Sequence, residues 1–379
     1  MSSMPNDPTL FPENTARMAA ALKRANVEVA VIASPVNVLY SSGAFIKTQV
    51  TIPERLAIHV LQANGTSCMI VCDIEEPLAK HETWIEDIRT YVEFQRTPID
   101  AVVDYLAANG LDNARVGVEP RFLVSTYMDE VRNKLPQAQL IDIDDTLDGV
   151  RGRKSQAEID LLRHAEQTTE EILYAAFANF QLGQSEEELG WDIQLRMREI
   201  GTSPTLLTVV SGASTAVPHA TSTRTPIERG AMIKVDVGGH FRNYTSDFAR
   251  VVYAGEISPE KEKACDTYVD IYEAIVAGIK PGITAADLFN LMDTEHTRRG
   301  IPLAAPHVGH SIGVGLHDEP LLHPKSDRVL EPGMILAIEP RAILTDGERI
   351  HLEDLVLVTN DGCEVFTDLS KLRSVKAIG

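Results

Sequence analysis

Four carboxylates stand inside or at the ends of strand-like sequence between Lys234 and Asp354: Asp236 in IKVDVGG, Asp247 in YTSDFAR, Glu339 in LAIEPRA and Glu353 in HLEDLVL. Aspartate is disfavoured in strands, and a buried carboxylate needs a partner. A fold that accepts these segments must therefore lead the charges to solvent or gather them around cations. In AMIKVDVGGHFRNYTSDFARVV, Ile233, Val235 and Val237 share one face of a strand, and Lys234 and Asp236 share the other. Gly238, Gly239 and Asn243 supply turn residues, and a chain folding back across them sets Asp247 beside Asp236. Two such carboxylates repel unless a cation lies between them. Glu339 ends the apolar run GMILAIEPRA. In HLEDLVLVT, Glu353 has the parity of Leu355 and Leu357 and points to the apolar side, which leaves Asp354 on the other side, exposed or structural.

PHVGHSIGVGLHDEP carries His307, His310 and His317, with Gly309, Gly313 and Gly315 between them to let a loop approach a metal or substrate closely. Four carboxylates and His310 form a donor set of oxygens plus one imidazole, which suits Mn²⁺, Co²⁺ or Zn²⁺ rather than a thiolate-type site. Four negative charges neutralise two dications, and such a pair activates water and stabilises a tetrahedral intermediate, so the residues point to hydrolytic chemistry. His219, in SGASTAVPHATS, is a loop histidine beside proline with weaker context.

The rest of the chain sets the frame. Its 379 residues predict two domains, with a boundary near Leu147–Gly152: residues 1–152 as an α/β domain and 153–379 as a second, α+β domain. VEVAVIAS and ARVGVEP read as strands, LAIHVLQ and SCMIVCD as a hairpin, and PIDAVVDYLAANG as a helix ended by Gly110, giving a mixed sheet. Ser155–Glu158 and Ser185–Glu188 are capping boxes that open helices; Ser258-Pro259 and Thr284–Asp287 open two more. Helices precede the Asp236/Asp247 pair and again the Glu339/Glu353 pair, which suggests two facing helix-plus-hairpin halves. No GxGxxG or GxxxxGK[ST] occurs, so nucleotide binding has no motif. A net charge of −20 argues against nucleic-acid and anionic-membrane partners. No apolar run approaches the ~18 residues of a membrane span, the N-terminus does not read as a secretory signal, and the four cysteines include no CxxC pair. The expected setting is the cytoplasm, with reduced thiols.

On these residues the chain resembles the pita-bread metallopeptidases, the family of prolidase, aminopeptidase P and methionine aminopeptidase with the non-peptidase relative creatinase. The resemblance spans nearly the whole chain, with a creatinase/prolidase-like N-terminal domain. It implies two divalent metal ions, Mn²⁺ first and Co²⁺ or Zn²⁺ next. Asp236 would hold one ion, His310 and Glu339 the other, and Asp247 and Glu353 would bridge them. It further implies a metal-bridging hydroxide that attacks an amide carbonyl, with Glu339 shuttling the proton and His317 stabilising the intermediate. His219 would contact substrate or shuttle a proton, and His307 would line the substrate pocket. The expected activity is cleavage of the Xaa-Pro bond of short peptides by a homodimer. The alternative is a small-molecule C–N hydrolase or lyase of the creatinase or ectoine-hydrolase type; a binding protein that uses the fold as a scaffold is a third. Three departures bear on the substrate. His351 stands where these enzymes show arginine in Arg-x-Glu, Arg341 follows Glu339-Pro in place of glycine, and Ala249 replaces threonine in SDxTR.

Overall fold

The computed structural model describes residues 10–52, 54–218, 220–344 and 347–379. The chain divides into two compact units, one ending at Arg151 and the other beginning at Gly152.

The first unit is built on a six-stranded sheet: β1 (Val29–Ile32), β2 (Ile58–Gln62), β3 (Ser67–Cys72), β4 (Ile88–Tyr91), β5 (Arg115–Val118) and β6 (Gln139–Asp142), in the order β4-β3-β2-β1-β5-β6. The β1–β2 and β2–β3 pairs are antiparallel, and the β1–β5, β3–β4 and β5–β6 pairs are parallel. The sheet is thus mixed, and the LAIHVLQ/SCMIVCD hairpin forms as its sequence requires. Helix Pro98–Ala108 starts at a Thr97–Asp100 capping box and packs Ile99, Val102 and Leu106 into the core beneath β1, β3 and β5. Cys68 and Cys72 are buried, and the cysteines are free.

The second unit contains two helix-on-sheet halves. In the first half, helices Gln156–Asn179 and Glu186–Glu199 begin at the Ser155–Glu158 and Ser185–Glu188 capping boxes. They cover a sheet of β7 (Pro204–Ser211), β8 (Met232–Phe241), β9 (Tyr244–Thr245), β10 (Phe248–Ala254) and β18 (Ala377–Ile378). Ile172, Leu173, Phe177, Leu189 and Ile193 meet Val209, Ile233, Val235 and Val237 in one core. In the second half, helices Pro259–Gly278 and Ala285–Arg299 cover a sheet of β11 (Gly309–Ser311), β12 (Asp318–Leu321), β13 (Ile335–Ile338), β16 (Asp354–Val358) and β17 (Cys363–Val365). Tyr268, Tyr272, Ile275 and Leu288 pack there against Leu336, Ile338 and Val356. Between β13 and β16 the chain makes a separate two-stranded ribbon, β14 (Arg341–Ile343) with β15 (Arg349–His351). Among the described residues no helix is long and apolar enough to cross a membrane.

The two halves touch where the carboxylates lie. Ala249 and Glu353 exchange backbone hydrogen bonds of 3.3 and 3.1 Å. Ala249 also stands opposite Asp236 in the β8–β10 ladder. One rung therefore sets Asp236, the segment carrying Asp247, and Glu353 side by side.

Two sequence expectations change here. Gly238 and Gly239 lie within β8, and the reversal is made at Arg242-Asn243, both with positive φ (51° and 66°). Gly238 is needed because a Cβ there would run into the Ser246 carbonyl, where the chain breaks between β9 and β10 just before Asp247. Gly309 likewise serves packing rather than ligand approach, since a Cβ would strike the Ala337 carbonyl across the β11–β13 pair.

Candidate metal centre

Each of the four carboxylates sits within a strand or just outside its end. Asp236 is within β8, Asp247 precedes β10, Glu339 follows β13 and Glu353 precedes β16. His310 is the middle residue of β11, paired with Ala337 of β13. These residues converge. His310 Nε2 lies 3.8 Å from Asp247 Oδ2, 3.6 Å from Glu339 Oε1 and 3.9 Å from Glu353 Oε1. Asp247, His310 and Glu353 offer donor atoms all within 4.8 Å of one another, and so do His310, His317 and Glu339.

The polar atoms are buried and unanswered. Asp236 Oδ1, Asp247 Oδ1, His310 Nε2, Glu339 Oε1 and Glu353 Oε1 are enclosed and make no hydrogen bond. Buried polar groups are otherwise almost always paired. His310 Nδ1 lies 3.0 Å from the Ser311 carbonyl, which favours the tautomer with its lone pair on Nε2, facing the carboxylates. Burial pushes the His310 imidazole down to about 4, so it is a neutral donor. Burial raises Asp247 well above the usual carboxylate range, and Asp236 and Glu339 add repulsion. Glu353 is raised for the same reasons, by burial and then by Asp247, Glu339 and Asp236. Burial works against the Glu339 charge as well, but the nearby His351 imidazole and Arg341 guanidinium hold it lowered, at about 2. Crowded, desolvated carboxylates with orphan oxygens are the surroundings a pair of dications resolves, and the donors fit such a pair.

The histidines divide. His307 Nδ1 faces Glu339 Oε1 at 3.4 Å, and the exposed His317 stacks on His310 with ring centroids 3.8 Å apart. His219 lies outside the described residues.

Other buried groups support this cluster, and of these Arg250 and Glu166 were not singled out from sequence. Asp354, read as exposed or structural, is structural: fully buried, it pairs with Arg250 at 2.5 Å and accepts hydrogen bonds from Tyr272 (2.7 Å) and Thr367. Arg250 also donates to the carbonyls of Ala249 and Glu353. Glu166, from helix Gln156–Asn179, accepts the amides of Asp247 (3.3 Å) and Leu355 (3.1 Å), and so fastens both halves. Helical periodicity puts Glu166 on the buried face beside Leu162 and Leu173, which is the only sequence signal it gives. His351 appeared in the sequence only as a departure from a motif. It is 3% exposed and lies against Asp236, Glu339 and Glu353. Arg341 turns back onto Glu339 Oε2 at 2.6 Å.

The fold is that of the pita-bread metallopeptidases. The chain belongs to metallopeptidase family M24, whose model matches residues 160–360, and residues 15–152 match the creatinase/prolidase N-terminal domain. It is 24% identical over 363 residues to a Xaa-Pro dipeptidase of Pyrococcus horikoshii, covering 94% of this chain and 97% of that protein. It is 25% identical over 366 residues to a Xaa-Pro dipeptidase of Lactobacillus helveticus, with the same coverage. The crystal structure of an X-Pro aminopeptidase from Thermotoga maritima superposes with a TM-score of 0.85 at 23% identity, over 96% of this chain and 99% of that one.

Proposed function

We propose that this metallopeptidase hydrolyses the Xaa-Pro bond of short peptides, dipeptides first, using two divalent cations held by Asp236, Asp247, His310, Glu339 and Glu353. The observation that carries the reading is the set of buried, unpartnered donor atoms contributed by both halves of the second unit. The relatives that match along nearly their whole length, named as Xaa-Pro dipeptidases, support the bond specificity. Bound there, divalent cations supply an activated water and polarise the scissile carbonyl. The chain's own groups do the rest. Glu339, kept ionised, accepts the water proton at Oε1 and passes it to the leaving nitrogen. His317, exposed beside His310, donates to the oxygen that gains charge in the tetrahedral intermediate. His307 stands against Glu339 on the substrate side, and His219 is assigned to proton transfer or substrate contact. The working form on this reading is a homodimer.

The second reading, a small-molecule C–N hydrolase, is favoured by one observation: Arg341 and His351 replace the residues that family members show beside the last two carboxylates. Metal-stripped protein loaded separately with Mn²⁺, Co²⁺ and Zn²⁺ decides between them. The expected result is turnover of Xaa-Pro dipeptides, abolished by chelation and restored by cation. Turnover confined to guanidino compounds or acylated amino acids overturns the first reading in favour of the second.

A further inference from the structure

We infer that His351 is an additional metal ligand, which turns the oxygen-only side of the centre into a mixed nitrogen–oxygen site and shifts its preference from Mn²⁺ toward Zn²⁺ and Co²⁺. The inference rests on the two-cation reading above and adds to it. His351 ends β15, two residues before Glu353, and is 3% exposed. Its Nε2 makes no hydrogen bond; it lies 3.5 Å from Glu339 Oε2 and 3.6 Å from Glu353 Oε2, while Nδ1 lies 3.6 Å from Asp236 Oδ2. These separations exceed the 2.7–3.2 Å of ordinary hydrogen bonds. Donors about 2.1 Å from a common ion stand roughly 3–3.5 Å apart, close to the separations of Nε2 from Glu339 and Glu353, while Asp236 faces the other ring nitrogen. Asp236, His351 and Glu353 offer atoms within 4.8 Å of one another, and Asp247, His310 and Glu353 do the same. The donors thus form two triads that share Glu353, each with one imidazole.

The arginine that family members carry at this place is always protonated and cannot ligate. Its charge has not vanished from this chain. Arg341 is the direct cross-strand partner of His351 in the β14–β15 ribbon, and its guanidinium lies 2.6 Å from Glu339 Oε2. A guanidinium thus faces Glu339 from one rung across the ladder, and position 351 carries an imidazole that can act as a donor. Imidazole suits Zn²⁺ and Co²⁺ better than Mn²⁺, which prefers carboxylate and water.

The test compares wild type with His351→Arg, which restores a non-ligating cation, and His351→Gln, with far-UV circular dichroism as the folding check. Asp247→Asn serves as the control for the centre itself. Metal-stripped proteins are titrated with Co²⁺, Zn²⁺ and Mn²⁺, and bound metal is measured after dialysis. Proton spectra of the Co²⁺-loaded forms are then read for paramagnetically shifted imidazole signals. The expected result is one shifted imidazole fewer in both His351 variants than in wild type. Zn²⁺ affinity should also fall by at least the roughly 10–100-fold that loss of an outer-shell partner alone costs, and by more than Mn²⁺ affinity, so that the Zn²⁺-over-Mn²⁺ ratio drops. If wild type binds two cations and the His351 variants keep the same affinities and the same shifted signals, His351 is not a ligand and the two-cation reading stands. If wild type binds no cation, or Asp247→Asn leaves binding unchanged, the two-cation reading falls and this inference falls with it.

Discussion

Buried carboxylates are treated in opposite ways in the two units. In the first, Glu119 is 1% exposed and fully answered: it accepts from the amides of Ala33 (2.5 Å) and Ser34 (2.9 Å), the Ser34 hydroxyl (2.6 Å) and the Asn37 side chain (2.6 Å). In the second, Asp247 and Glu353 are as deeply buried, face like charges, and leave oxygens without donors. The same contrast holds between neighbours, since Asp354 is saturated while Glu353 is not. A carboxylate surrounded by donors holds a fold together. One surrounded by other carboxylates waits for a cation, and its cost to the fold is tolerated for function.

Substitutions can break this contrast, and the largest effect should come at the centre. Glu353→Gln should lower turnover by about 10³–10⁴-fold, since it removes several kcal/mol of cation-mediated stabilisation. The same change should leave the metal-free protein no less stable than metal-free wild type, because it removes repulsion. A metal-free variant that melts lower would contradict the comparison. Arg250→Met should cost about 3–5 kcal/mol in urea unfolding by stranding Asp354. Glu119→Ala should cost on the order of 3 kcal/mol in the same measurement, because four donors lose their acceptor, and it should leave bound metal unchanged.

A smaller effect concerns pH. Burial pushes the His59 imidazole from 6.5 down to about 3. The unfolded chain takes up a proton as pH falls through its ordinary value while the folded chain does not, so this contribution is intact above that value and is lost on the way down. Wild type should lose about 2 kcal/mol from this group between pH 7 and pH 5, and His59→Gln should show a correspondingly shallower slope. Smallest of all, Ser155→Ala should cost about 1 kcal/mol by removing the hydroxyl cap on the Glu158 amide.

Much of this was legible where the signal is local. Ser155, Ser185 and Thr284 mark helix starts because the cap and its partner lie three residues apart. Period-two alternation around Ile233–Val237 fixes which side of β8 meets the helices. Of the turn residues read before Asp247, Asn243 does make the β8–β9 reversal, whereas Gly238 and Gly239 lie in β8 and Gly238 answers a backbone contact with Ser246 that no local pattern encodes. Arg250 and Glu166 escaped for the same reason: the bonds that fix them span long stretches of chain, Arg250 to Asp354 (104 apart) and Glu166 to Asp247 (81 apart). At His351 the sequence showed that a residue had changed, and the geometry shows which charges it faces.

The Ala249–Glu353 rung joins two separately cored halves directly beneath the centre. Opening that seam exposes both amides to solvent and pulls the donor groups apart in one motion. Deuterium uptake at Ala249 and Glu353 should therefore slow when cations are supplied, while amides deep in each half exchange as before.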